Sequence, residues 1–255
     1  FAFMVAESLQ AKGFCLVQMF ETDTMRRSLL HHALARGDFT LPPLEFEEAY
    51  LGRSPSSKVA WLSGDNVDEA GQDPLLRYEQ YMIALVRVLL PVVGTYLGFK
   101  PHDYLAGTML RLPLLQAGEH EELSPGPVSQ EAIEGGAVEH HLDFMQRRKL
   151  CIMYLADNEG GMLELHLRED LGERTVRIPV TKDKLLVFRC DALSYSYKPR
   201  GSSRDLVLQT WLMEEPPSLK IDSFVGDLKG MEGIVGGCRL PVDKQVHLTA
   251  VHTMF

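Results

Sequence analysis

The sequence predicts a mainly β domain of jelly-roll type, with a layer of helices contributed by its N-terminal part. Three observations support this fold class. Eight short β-like runs follow one another between residues 105 and 213, at spacings of about ten residues. Several of these runs alternate cleanly between apolar and polar side chains. Before them, residues 75–97 repeat their apolar side chains with helical periodicity, so an α+β chain with a β core is expected.

The N-terminal part of the chain alternates helices with strands that lead into the sheets. Gly13 and Gly98 each follow an apolar-periodic segment and are predicted to end a helix. Thr22 and Asp23 are both suited to cap the second helix, because a short oxygen-bearing side chain accepts a hydrogen bond from the first turn. Residues 38–74 are rich in Pro, Gly and Ser. The predicted helices are 4–12, a second one ending at 35, and 75–97, and the predicted strands are 14–20 and 58–62.

The later β-like runs are expected to form the core. Leu163, Leu165 and Leu167 share one face of their run, as expected of a strand with one buried face. Residues 116–138, between the first two runs, are acidic and rich in Gly and Pro, and are expected to form a mobile loop over one mouth of the barrel. The predicted core strands are 105–112, 141–144, 150–155, 162–167, 175–180, 184–189, 192–197 and 205–213.

Composition and charge exclude several classes of function. The chain of 255 residues is 45% hydrophobic and 24% charged, which is ordinary for a globular protein. A formal net charge of −9 argues against a general binder of nucleic acid or of anionic membranes. The sequence has no continuous run of about 18 apolar residues, so no membrane span is expected. The four cysteines are scattered, as expected of reduced thiols in an intracellular, cytoplasmic protein.

The chain is expected to divide into three parts. Residues 1–102 supply helices and lead-in strands that pack on the core, residues 103–215 form the β core, and residues 216–255 form an extension or a linker to a further domain. The chain starts with Phe1 and stops mid-pattern at Phe255, so it is expected to be excised from a longer polypeptide.

His141-Leu142-Asp143 is the stretch with the clearest chemical meaning. On a β-strand, side chains two residues apart project from the same face. A neutral imidazole and a carboxylate placed in this way can fill two positions of a non-haem Fe(II) site with two histidines and one carboxylate. The third ligand is expected from a later strand. No histidine lies between His166 and His247.

Five sequence pieces, taken in order, resemble one known family. They are the His141/Asp143 pair, Tyr154-Leu155, the turn and strand at 160–165, the strand and turn at 185–191, and the closing strand at 204–211. Together they resemble the double-stranded β-helix core of Fe(II)/2-oxoglutarate-dependent oxygenases, particularly the prolyl-hydroxylase-like branch. The lead-in helix, strand and helix resemble that family as well, so the resemblance covers most of residues 1–215.

The resemblance implies a set of cofactors and site residues. Fe(II) would be held by His141 and Asp143, with Tyr195 at the position of the family's distal histidine. 2-Oxoglutarate would place its distal carboxylate on Arg204, which stands nine residues after Tyr195, and on the hydroxyl of Tyr154. A guanidinium suits that role because its two parallel N–H groups bind both carboxylate oxygens.

The tyrosine at position 195 leaves several interpretations open. In the first, Tyr195 is a buried aromatic side chain in a domain that no longer catalyses a reaction. In the second, water completes a metal site on His141 and Asp143, and the activity is weakened. In the third, Tyr195 binds the metal as a phenolate. A phenol with a reference pKa near 10 is a poor Fe(II) ligand at neutral pH unless the metal lowers that pKa. A ligand from elsewhere in the chain is the remaining alternative, with candidates His120, His247 and His252.

Two functional hypotheses follow from the sequence. The first is an Fe(II)/2-oxoglutarate dioxygenase of hydroxylase type, impaired at its third metal position, that acts on a small-molecule, carrier-bound or protein-bound substrate. The second is a catalytically inactive β-helix domain with a binding or scaffold role beside neighbouring domains of a longer polypeptide. Residues 233–241 faintly resemble the opening of a β-ketoacyl synthase, which would suit a polyketide-synthase-like parent.

Overall fold

The protein is described by a computed structural model. The structure describes residues 1–53, 57–62, 73–116, 118–124, 126–168, 171, 174–201 and 204–216. Residues Phe1–Glu214 form one compact unit. The predicted extension at 216–255 lies outside the described residues apart from its first residue.

Seven helices occur among the described residues. Glycines in the left-handed region end two of them, because only glycine adopts that conformation without strain: Gly13, at φ 81°, follows the first helix, and Gly98, at φ 75°, follows the fourth. Thr22 caps the second helix through its side chain, as predicted. The helices are α1 (Ala2–Lys12), α2 (Asp23–Ala35), α3 (Glu47–Leu51), α4 (Pro74–Leu97), α5 (Glu119–Leu123), α6 (Gln130–Glu134) and α7 (Ala137–Arg147).

Nine strands in the described part of the chain form two antiparallel sheets. They are β1 (Phe14–Gln18), β2 (Ser57–Leu62), β3 (Pro101–Pro113), β4 (Arg148–Asn158), β5 (Gly161–Leu167), β6 (Thr175–Val180), β7 (Lys184–Arg189), β8 (Leu193–Pro199) and β9 (Asp205–Glu214). The large sheet has the order β1-β7-β4-β9-β3-β2, and the small sheet has the order β6-β5-β8. The two-sheet architecture confirms the predicted fold class, and the lead-in strands β1 and β2 sit at the two edges of the large sheet.

Alternation along the strands divides the core into two clusters. On β4, Cys151 and Met153 face the small sheet and pack with Leu163 and Leu165 of β5. The side chains between them, such as Ile152, face the other way and pack under α1, α2 and α4. The inner cluster therefore fills the barrel, while the outer cluster attaches the helical layer.

The predicted strand at 141–144 is wrong, because these residues belong to α7. Leu142 is 57% exposed and Phe144 is 8% exposed, whereas one strand face would carry both side chains. The run Ala137–Arg147 contains no Gly or Pro and is rich in good helix formers. Asp143 and Arg147 add an ion pair at helical spacing. Polar–apolar alternation over four residues imitated a strand within this helix.

Two further features differ from the sequence predictions. The segment at 116–138, expected to be a loop, contains the short helices α5 and α6 and the start of α7 in its described part. The second feature concerns membrane spans, of which the sequence predicted none. Among the described helices, α4 alone is long and apolar enough, by length and composition only, to cross a bilayer. In this structure one face of α4 packs into the outer cluster through Met82, Val86 and Leu89.

Candidate functional site

The two predicted metal ligands on α7 do not share a face. Successive helical residues turn by about 100°, so residues two apart point in nearly opposite directions. His141 stacks on Phe46, with ring centroids 4.1 Å apart and planes 14° apart. Asp143 instead accepts a hydrogen bond from Arg147, with Oδ2 2.6 Å from Nη1, and its side chain is 39% exposed. The structure thus separates the pair that the strand prediction had joined.

Tyr195 lies on the inner face of β8, and its hydroxyl is fully engaged. Its Oη accepts from Arg111 Nη1 at 3.0 Å and donates to the carbonyl oxygen of Tyr50 at 2.7 Å. The side-chain amide of Gln209 lies within hydrogen-bond distance of the same oxygen. Burial raises the pKa of the Tyr195 phenol to about 12, although the Arg111 charge pulls it down. At neutral pH this hydroxyl is protonated.

Arg111 is the functional-site residue that sequence reasoning missed. It is 1% exposed and lies on the inner face of β3. Besides Tyr195, it donates to Gln209 Oε1 at 3.1 Å and weakly to Ser57 Oγ at 3.4 Å. Its Nε has no hydrogen-bond partner among the described residues, and none of their carboxylates forms an ion pair with it. A charged residue within the apolar run 109–112 was the available signal.

The two predicted 2-oxoglutarate anchors lie away from Tyr195. Tyr154 faces the helical layer, where its ring stacks on Tyr78 with centroids 4.8 Å apart and its hydroxyl donates to Asp183 at 2.8 Å. Arg204 precedes β9, has a half-exposed side chain and pairs with Asp157 at 2.8 Å. The structure therefore places Tyr154 outside the barrel and gives Arg204 an internal carboxylate partner.

The donor set around Tyr195 does not fit Fe(II). Among the residues that the structure describes, no three His, Cys, Asp or Glu side chains are grouped in a way that could hold a metal ion. The hydroxyl of Tyr195 is protonated, hydrogen-bonded and next to a guanidinium, which repels a second cation. Of the alternative ligands, His120 lies on α5, and His247 and His252 lie outside the described residues.

A cavity of about 330 Å³ opens beside Tyr195 at the mouth of the barrel, and we call it the mouth cavity. Trp211 and Phe188, both buried core residues, reach its floor. The remaining lining residues come from α3, α7 and the ends of the strands, and are Glu45, Glu48, Ala49, Gly52, His141, Met145, Arg148, Arg168, Cys190, Leu193, Ser194 and Tyr195.

Two titratable groups of the mouth cavity, His141 and Cys190, are uncharged at neutral pH. Burial, aided by the nearby Arg148 charge, lowers the pKa of His141, so its imidazole is uncharged at neutral pH. Burial raises the pKa of the Cys190 thiol to about 12, so this cysteine is not a thiolate nucleophile. The Nδ1 atom of His141 is buried without a hydrogen-bond partner among the described residues. The neutral imidazole and the protonated thiol can each take part in hydrogen bonds with a small molecule.

The α3 segment closes the barrel over this site. Tyr50 stacks on Phe144 with centroids 5.0 Å apart and packs edge-on against Trp211 at 5.9 Å. Gly52, at φ 78°, comes so close to β8 that a Cβ atom there would lie 2.4 Å from the carbonyl oxygen of Tyr195. The next residue, Arg53, donates its backbone N–H to that oxygen at 2.8 Å.

Comparisons with known proteins identify the fold but no family. No family model matches the chain, and no curated protein matches it. A prolyl hydroxylase from Trichoplax adhaerens, solved with a hypoxia inducible factor peptide, is 17% identical, with a TM-score of 0.54 over 84% of this chain and 89% of that one. A Pseudomonas putida prolyl-4-hydroxylase is 15% identical, with a TM-score of 0.53 over 84% of this chain and 99% of that one.

A third solved structure widens the range of chemistry found on this fold. The non-heme alpha ketoglutarate dependent epimerase SnoN from nogalamycin biosynthesis is 12% identical, with a TM-score of 0.51 over 89% of this chain and 91% of that one. Similarity at these identities shows a shared fold and leaves the reaction open. The chain has the double-stranded β-helix fold found in 2-oxoglutarate- and Fe(II)-dependent oxygenases.

Proposed function

We propose that this domain is a catalytically silent double-stranded β-helix that binds a small organic ligand or serves as a scaffold beside neighbouring domains. The observation that carries the proposal is the hydrogen-bond network of Tyr195. Its hydroxyl accepts from Arg111 and donates to Tyr50, so it is not available as a metal ligand. The dioxygenase hypothesis requires that oxygen, or a water beside it, to face Fe(II).

Electrostatics support the proposal quantitatively. Two unit charges 4 Å apart interact by about 4 kcal/mol at an effective dielectric constant of about 20, and a divalent ion doubles that repulsion. Arg111 Nη1 lies 3.0 Å from the Tyr195 oxygen, so a cation bound to that oxygen would meet a fixed positive charge. The opposite-facing His141 and Asp143 supply no pair of ligands to offset the cost.

The mouth cavity is the site that remains for a ligand. Its floor is aromatic, and its volume of about 330 Å³ is at the lower end of the range for small-molecule pockets. The neutral His141 and the protonated Cys190 can exchange hydrogen bonds with an uncharged polar group. In this proposal Fe(II) and 2-oxoglutarate are cofactors of other proteins with this fold, and this chain has replaced the metal chemistry by a closed polar core.

An anaerobic titration of the full chain with Fe(II) and 2-oxoglutarate tests the proposal. We expect no visible metal-to-ligand charge-transfer band and no succinate formation, with a functional prolyl hydroxylase as the positive control in the same buffer. The variant Tyr195→His is expected to behave in the same way, because Arg111 and the helical position of His141 remain. A band accompanied by succinate in the wild-type chain would instead establish the impaired dioxygenase.

A further inference from the structure

A second cavity, of about 470 Å³, opens between the two sheets beside the end of α1, and we call it the α1 cavity. Its walls come from α1, the start of β1 and the facing ends of β5, β6, β7 and β8. Its volume lies within the range of roughly 300–1,000 Å³ that holds small organic ligands. It shares only Leu193 with the residues that line the mouth cavity, so it is a separate site.

The inner wall of the α1 cavity is an uncovered part of the core. Phe14, Leu167 and Val176 pack against the inner cluster but are only partly buried, and all three border the cavity. Farther along β5, Leu163 and Leu165 are fully buried in the same cluster. The sheets therefore leave apolar inner surface open at this end, and an apolar group placed there would continue the core.

The rim of the α1 cavity is positively charged. Lys12, Arg174 and Arg189 line it, and no Asp or Glu does so among the described residues. Arg189 is neutralised by Asp191, with Nη2 2.8 Å from Oδ2. Lys12 and Arg174 have no carboxylate partner in the part of the chain that the structure describes. In a chain with a net charge of −9, two cations with no carboxylate partner among the described residues attract a negative head group to this apolar opening.

We infer that the α1 cavity binds an amphipathic organic anion, namely an alkyl carboxylate of medium chain length. Its hydrocarbon part covers Phe14, Leu167 and Val176, and its carboxylate pairs with Lys12 and Arg174. This site does not depend on the state of Tyr195, so it stands apart from the proposed function.

Isothermal titration of the full chain with octanoate, 1-octanol and octylammonium tests the inference. Octanoate is expected to bind more tightly than 1-octanol, and octylammonium is expected not to bind. Each of Lys12→Gln and Arg174→Gln is expected to weaken octanoate binding about two- to fivefold and to leave 1-octanol binding unchanged, as for the loss of one exposed ion pair. Lys198→Gln, an equal charge change outside the cavity, is the matched control.

Blocking the cavity provides a second, charge-independent measurement. Ala11 is exposed on α1 and borders the cavity, so Ala11→Trp fills the opening without disturbing the core. This variant is expected to abolish the heat of octanoate binding. The inference is overturned if octanoate gives no heat, if octanoate and 1-octanol bind equally, or if Ala11→Trp binds octanoate as the wild type does.

Discussion

Removing one oxygen atom, by Tyr195→Phe, tests whether the hydroxyl of Tyr195 holds the barrel together. The change deletes the acceptor of the Arg111 hydrogen bond and the donor to the Tyr50 carbonyl. A hydrogen bond to a charged group contributes about 1.5–3 kcal/mol, and a neutral one about 0.5–1.5 kcal/mol. The Tyr50 carbonyl keeps its second donor, Gln209 Nε2 at 3.1 Å, so the lost neutral bond falls at the low end.

The free energy of unfolding is therefore expected to fall by about 2–3 kcal/mol. For a domain of this size, a loss of that magnitude lowers Tm by about 4–12 °C. Urea unfolding followed by circular dichroism measures the free energy of unfolding. Tryptophan fluorescence, to which the buried Trp211 of the same cluster contributes, provides a second probe. Loss of circular dichroism and of the fluorescence signal at one urea concentration would show that the two-state assumption holds.

Tyr81→Phe is the matched control, because Tyr81 is 44% exposed and bonds Arg77 on the surface of α4. The free energy of unfolding of that variant is expected to fall by less than about 0.5 kcal/mol. A loss below about 1 kcal/mol in Tyr195→Phe would refute the argument, since a buried guanidinium cannot lose its acceptor at so small a cost. A metal-ligand role would produce a different result, in which the metal-free stability is unchanged.

Two further predictions concern the close approach of α3 to the barrel and a buried acid. Gly52→Ala is expected to lower the free energy of unfolding by about 2–4 kcal/mol, because a Cβ atom at φ 78° would meet the carbonyl oxygen of Tyr195. Gly37→Ala is the control in the same unfolding assay, and it is expected to be nearly neutral because no atom lies within 4 Å of the added Cβ. Burial raises the pKa of Asp205 despite its 2.6 Å hydrogen bond from Tyr197, so the contribution of Asp205 to stability is expected to fall as the pH rises from about 4 through its folded-state pKa. Asp205→Asn should flatten that part of the profile of unfolding free energy against pH, and an unchanged slope would contradict the assignment.

The sequence predicted most of the fold because its signals were local. Alternation located β6 and a short apolar run located β7 at their observed ends, and Gly13 and Gly98 marked the ends of two helices. The short run at 141–144 failed because a four-residue alternation is too short to separate a strand from a turn of helix. The deciding signals were the helix-forming residues on both sides of it.

The candidate site was less predictable, because it depends on contacts between distant parts of the chain. Arg111 and Tyr195 are 84 residues apart and lie on different sheets, so only the packing of the two sheets against each other brings them together. Family resemblance assigned the cosubstrate to Arg204, whose charge is satisfied by Asp157 in the folded chain. A rule that treats any charged residue at an inner strand position as a site candidate would have found Arg111.

The network of Arg111, Tyr195 and Gln209 also constrains how this chain can change by mutation. Each of the three side chains satisfies the others, so a single substitution leaves two buried polar groups with fewer partners. A substitution that introduced a metal ligand at position 195 would first lower the stability of the fold. The guanidinium of Arg111 would also have to be replaced before a metal ion could bind there. Single substitutions in this network are therefore expected to give variants that fold less well than the present chain.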